Sequence, residues 1–224
     1  MKSHAHQILV VAAHPDDEVL GAGGTIAQHV TRGEAVYVAI LAEGASMQFP
    51  DAPEMIAVKQ AHALKAAEVL GVKDVFFGNF PDQKLDASPF IQITGFIEEL
   101  VRKLHPNVVY THHFSELNRD HRVAYEATSV AVRPFSCPSL ERFLCFTVDT
   151  VTHWGHGVAQ YNVFSDISAT LEAKLLAMRA YETELRPYPH PRSLEALRHM
   201  AHRNGAMVGL PAAEPFQLVV EVHR

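Results

Sequence analysis

His14-Pro15-Asp16-Asp17-Glu18 sets one imidazole beside three carboxylates. Acids packed this closely repel unless a cation or a proton relieves them. A helix start supplies only ~0.3–1 kcal/mol of relief to each. The spacing of His14 and Asp17 lets a nitrogen and a carboxylate oxygen converge on one ion when a turn folds the chain back. Catalytic zinc typically takes three protein ligands and leaves one position open. The segment Thr111-His112-His113-Phe114-Ser115-Glu116-Leu117-Asn118-Arg119-Asp120-His121 offers the third, with His121 near a helix start and Asn118 as its N-cap. Two His and one Asp suit zinc, and Fe(II) and Mn(II) use similar donors. Asp16 is then the carboxylate left over from ligation, placed to act as general base on a water acidified by the cation. Glu18, in the first helical turn, has two readings: it caps or orients, or it takes a direct part in the chemistry.

For these loops to meet, two strand ends must lie side by side. Ile8-Leu9-Val10-Val11-Ala12-Ala13 is an apolar run of buried-strand type, and Pro15 ends it by fixing a turn. Further strands are expected at 35–41, 74–77 and 108–111, with helices at about 17–31, 54–70, 90–104 and 119–132. This alternation predicts an α/β fold: a mostly parallel sheet with helices on both faces. Open sheets of that kind place ligands at the carboxyl ends of their strands, where both His-bearing loops begin. Past Pro134 the pattern weakens. Short strands at 142–147 and 161–164 flank Thr152-His153-Trp154-Gly155-His156-Gly157. Asp166 or Ser168 is expected to cap a helix reaching about residue 181, followed by a loop at 184–192, a helix at 193–203 and a strand at 216–222. The C-terminal third should therefore add a lid and edge strands, leaving residues 1–224 as a single domain.

Composition narrows the function classes. A net charge of −6 gives no basic footprint for nucleic acid. No apolar stretch nears the roughly 20 residues of a membrane span, and the six-residue apolar run near the N-terminus is too short for a signal peptide. A cytoplasmic location is expected, with neither nucleic acid nor membrane as partner. Cys137 and Cys145 match no zinc-knuckle spacing. Of the 15 histidines, His29, His62, His199 and His202 fall on expected helices and are assigned to the surface.

Gly21-Ala22-Gly23-Gly24 lies inside a helical pattern, after the acidic turn, so it is not a dinucleotide loop. Close approach of that helix to neighbouring backbone explains it better. Loops at 43–49 and 79–86 should rim the pocket, with Asp82 a candidate to accept hydrogen bonds from substrate hydroxyls. His153, Trp154 and His156 are candidates for a lid, and Arg192 for pairing with an anionic substrate group.

Ala13-His14-Pro15-Asp16-Asp17-Glu18, with Leu20-Gly21 and Gly23-Gly24, resembles the signature of the LmbE-like, PIG-L type de-N-acetylases. Asp120-His121 resembles their second motif, and residues 203–216, with Gly205, Gly209, Glu214 and Phe216, are similar to their C-terminal segment. The resemblance implies a Rossmann-like fold and a zinc-dependent amidase that removes acetyl groups from N-acetylglucosamine-containing substrates. It implies His14, Asp17 and His121 as zinc ligands, Asp16 as base and Asp120 as an orienting residue. It also makes a homo-oligomer reasonable. The departure is Asn118, where well-studied members carry a His that stabilises the tetrahedral oxyanion. Asn can donate a hydrogen bond there but brings no charge. His113, ahead of His112, is expected to supply the missing electrophile. Two rival classes stay open: a metal-dependent hydrolase of another bond, such as a phosphoester, and a non-catalytic sugar-binding relative. Only Arg119 and Arg122 lie near the second motif for a phosphate clamp, and the intact Asp16 speaks for an enzyme.

Overall fold

Ile8, Val10 and Ala12 bury against one helical layer, and Leu9, Val11 and Ala13 against the other. This period of two, apolar on both faces, marks a central strand. A computed structural model describes residues 6–148 and 159–223. In it, β1 (Gln7–Ala12) is flanked by β2 (Ala35–Ala42) and β4 (Val108–His112), both parallel to it. With β3 (Asp74–Phe80), β5 (Arg142–Phe146), β6 (Val163–Asp166) and β7 (Ala213–Glu221), the seven-stranded sheet runs β3-β2-β1-β4-β5-β7-β6. Among the described strands, β7 pairs antiparallel with both β5 and β6, and the other pairings are parallel.

Helices α1 (Asp17–Thr31), α2 (Met55–Leu70), α5 (Leu171–Ala180) and α6 (Leu194–Ala206) cover one face. Helices α3 (Phe90–Leu104) and α4 (Arg119–Ala131) cover the other. The fold is therefore Rossmann-like, as expected. Strand order reverses between β1 and β4, so the connections leaving them part and open a crevice. Both His-bearing loops start there.

Several local expectations need correction. Helix α5 starts after Thr170 with no side-chain cap, and Asp166 and Ser168 bond each other instead: Asp166 Oδ1 accepts from Ser168 N at 2.9 Å and from its Oγ at 2.5 Å. The glycines of α1 admit neighbouring side chains, not backbone. A Cβ on Gly21 would lie 2.1 Å from the Phe146 ring, and one on Gly24 would lie 2.7 Å from Ile167. His29 is buried, with its ring between Glu34 Oε2 at 2.5 Å and the Tyr110 hydroxyl at 2.9 Å. The loop of His153, Trp154 and His156 lies outside the described residues.

Candidate metal centre and its cleft

The turn after β1 is strained at one residue. Asp16 has φ 111°, a left-handed conformation that costs an ordinary side chain ~1–3 kcal/mol. Its carbonyl accepts from Val19 N at 3.1 Å and Leu20 N at 2.9 Å, and its N–H donates to Glu18 Oε2 at 3.2 Å. Glu18 is fixed in turn by the Tyr181 hydroxyl, 2.5 Å from Oε1. Glu18 thus braces the backbone of Asp16, the orienting role of the two considered for it.

One carboxylate oxygen organises the centre. Asp17 Oδ2 lies 3.1 Å from His14 Nδ1, 3.3 Å from His121 Nε2 and 3.4 Å from His112 Nε2. The far nitrogen of each outer ring is held by another carboxylate. Asp120 Oδ2 is 3.2 Å from His14 Nε2, and Glu116 Oε2 is 3.3 Å from His121 Nδ1. Those carboxylates are anchored too, since Asp120 Oδ1 accepts from Leu85 N at 3.1 Å and Glu116 Oε1 from Val148 N at 2.7 Å. A carboxylate behind each imidazole fixes its tautomer and raises its basicity, the usual arrangement behind metal-binding His. His14, Asp17 and His121 each offer a donor atom within 4.8 Å of the others, so they fit a small divalent cation.

The charges agree with that fit. Burial opposes a proton on His14, yet hydrogen bonds to Asp120 and Asp17 outweigh it and carry its pKa up to about 10. Burial also opposes ionisation of Asp17, but the charge on His121 and the hydrogen bond to that ring hold it well below the usual carboxylate range. Burial together with His121 pushes His112 down to about 4, so this ring is neutral. Its Nε2 accepts from Ala13 N at 2.9 Å, tying the ends of β1 and β4 together. A cavity that recruits protons to imidazoles in this way demands positive charge.

A cleft of about 300 Å³ opens over His14 and His121. Asp16, Asp82, Asn118 and Arg192 all line it. Asp16 is buried, and its Oδ2 has no hydrogen-bond partner. Burial lifts its pKa to about 8 against the pull of Arg192, whose Nε is 3.6 Å from Oδ2. Asp82 Oδ1 is 3.5 Å from His14 Nε2, and Asn118 Oδ1 is taken up capping α4 through Asp120 N at 2.9 Å.

His113 is not brought to the cleft. Successive residues at a strand end face opposite ways; β4 ends at His112, which meets the cluster, and His113 turns from it. Its Nδ1 meets Ser115 Oγ at 2.7 Å and its Nε2 meets Gln217 Oε1 on β7 at 2.6 Å. Of the two histidines it is His112 that lies beside Asp17, as a neutral ring whose Nε2 accepts from Ala13 N, and it does not line the cleft either. Sequence reasoning also missed Glu116, an acid five positions before His121 that could have been flagged. Lys59 and Glu184 were missed as well. They form a buried ion pair on the cleft wall between residues 125 apart, which no local pattern announces.

Residues 9–132 match the family described as PIG-L, GlcNAc-PI de-N-acetylase. That span includes Asp16 and every residue of the Asp17 cluster. The chain belongs to this family. Among its relatives, a diacetylchitobiose deacetylase of Thermococcus kodakarensis is 30% identical over 196 residues, covering 80% of this chain and 70% of that protein. A 4-oxalmesaconate hydratase of Pseudomonas putida is 31% identical over 135 residues, 55% of this chain and 50% of that protein. The crystal structure of a conserved protein from Thermus thermophilus superposes with a TM-score of 0.78 at 26% identity, covering 98% of this chain and 97% of that one.

Proposed function

We propose that the protein is a metal-dependent amidase that removes the acetyl group from an N-acetylglucosamine-type sugar or sugar conjugate. The observation that carries the reading is Asp17 Oδ2 facing two imidazoles, each backed by a carboxylate, with the unpartnered Asp16 Oδ2 on the same cleft. Family membership and the deacetylase relative support the reaction and the sugar. His14, Asp17 and His121 hold the cation, zinc by preference of the donor set, with Fe(II) and Mn(II) served by the same atoms. When bound, such an ion polarises a carbonyl and lowers the pKa of water.

The chain's own residues do the rest. Asp16 takes a proton from the attacking water as oxygen bonds to the acetamide carbon. It then passes that proton to the departing nitrogen as the C–N bond breaks, leaving acetate and a free amine. Asp120 and Glu116 keep the His14 and His121 rings oriented throughout. Asp82, at the rim, accepts from sugar hydroxyls.

The test is a panel of N-acetylglucosamine, N,N′-diacetylchitobiose, a phosphomonoester and an unsaturated dicarboxylate, with metal-loaded and chelator-stripped enzyme. Release of amine by the loaded form alone is expected. The hydratase relative gives a second reading, addition of water to a carbon–carbon double bond. Loss of the dicarboxylate's absorbance without amine release would establish it and end the amidase assignment.

A further inference from the structure

Amide hydrolysis turns a neutral carbonyl oxygen into an oxyanion. A protein stabilises that charge with fixed donors aimed at the space where it develops. Any such donor here must face the same cleft as Asp16 and stand within one small group of its carboxylate. Among the described residues few qualify. Gln83 Nε2 lies 3.1 Å from His14 Nε2 and is engaged there. Asn118 is neutral, and its oxygen caps α4. Lys59 donates to Gln48 Oε1 at 2.6 Å and to the Glu184 carboxylate, so its ammonium is engaged. His113 lies elsewhere.

Arg192 differs from all of these. Its Nη1 donates to Glu184 Oε2 at 2.5 Å, and Glu184 is itself pinned by Lys59. One end of the guanidinium is therefore clamped. Its Nε lies 3.6 Å from Asp16 Oδ2, too far for a hydrogen bond, and Nη2 has no hydrogen-bond partner among the described residues. Nε and Nη2 form one edge of the guanidinium fork. That edge and Asp16 Oδ2 thus border the same space, a donor pair and an acceptor that leave each other unsatisfied. A planar, permanently charged fork suits a developing anionic oxygen.

We propose that Arg192 is a catalytic residue whose guanidinium edge donates hydrogen bonds to the oxyanion formed on the acetamide carbonyl. The inference rests on the amidase reading. It assigns Arg192 to the transition state, not to an anionic group elsewhere on the substrate. The clamp by Glu184 explains why the fork is held ready before substrate arrives.

The experiment uses Arg192→Met and Arg192→Lys in the full chain. Deacetylation is followed on the panel sugar that the wild type turns over fastest. Binding is measured by calorimetry for N-acetylglucosamine and for its analogue with a methylphosphonamide in place of the acetamide, a tetrahedral anion. Removing an oxyanion donor typically costs about 10²–10³ in kcat. Arg192→Met should therefore lose about 100-fold in kcat with KM changed less than about threefold. Affinity for the phosphonamide should fall by a similar factor while affinity for N-acetylglucosamine holds, and added guanidinium should recover part of the rate. If Arg192→Met does not fold, Arg192→Lys is read by the same comparison, with a smaller loss in both quantities. An unchanged kcat overturns the proposal. So does a loss confined to KM, or a shifted pH profile with undiminished phosphonamide affinity, which would make Arg192 a positioning residue for Asp16. A wild type that releases no amine from any sugar would instead remove the amidase reading itself.

Discussion

Lys174 Nζ lies 2.6 Å from Glu214 Oε1, and the pair reaches into the hydrogen-bonding of helix α1. Lys174 donates to the Leu20 carbonyl at 2.9 Å, while Glu214 accepts from Gly24 N at 2.9 Å and from Thr25 N at 2.7 Å. A strand of the C-terminal third thereby fixes the helix that begins at the metal-binding turn. Removing one partner leaves a buried charge unpaired, which typically costs about 3–5 kcal/mol. Lys174→Met should lose that much in a denaturant titration, and Lys174→Met/Glu214→Gln should recover part of it. A single substitution costing under about 1 kcal/mol would show the pair to be incidental.

Two glycine substitutions should move stability in opposite directions. Gly21→Ala puts a methyl group 2.1 Å from the Phe146 ring, and such overpacking costs about 1–3 kcal/mol. Gly95, inside α3, has nothing within 4 Å of an added Cβ. Gly95→Ala should gain roughly 0.5–1 kcal/mol from helix propensity and lower chain entropy. Melting temperatures of the two variants give the comparison directly.

Asp16→Asn separates proton transfer from metal binding. Turnover should fall by about 10²–10⁴, the usual worth of a general base. Metal content by elemental analysis should stay near that of the wild type, whereas Asp17→Ala should lose the ion. Activity within a few fold of wild type in Asp16→Asn removes Asp16 from the proton path.

The chelator-stripped protein should lose stability as pH rises from about 6.5 to 10. His14, lifted to about 10, still holds its proton across that window, while the unfolded chain has released its own near 6.5. Asp16, lifted to about 8, has the same sign, since its pKa too exceeds the unfolded value. The folded state binds the extra protons, so stability must fall with pH. His112, pushed down to about 4, acts oppositely, but only below 6.5. Melting temperatures across this range should decline in the stripped protein and flatten when zinc is added. A flat stripped profile would contradict the His14 assignment.

The N-terminal two-thirds of the fold was legible because β1, β2 and β4 are buried on both faces and each helix is bounded by turn chemistry. Helices α1 and α3 were located to the residue, and β1, β2 and β4 to within one. The residues that would gather at Asp17 were legible for a related reason: they sit at strand ends, and topology alone brings strand ends together. His113 was misjudged because the side of a chain that faces a cleft depends on the residue at which the strand stops. Lys59, Glu184 and the Tyr181–Glu18 contact were invisible because each joins segments far apart in sequence whose own patterns are ordinary.

The family match ends at residue 132, yet Arg192 and Glu184, which wall the cleft, come from beyond it. The acidic turn with its histidines and the wall that faces them therefore come from different stretches of polypeptide. Mutation can shift that wall while leaving the turn intact, so the guanidinium opposite Asp16 is free to change without rebuilding the Asp17 cluster. Exchanging the α5–α6 connection is accordingly the direct way to alter one side of the cleft alone.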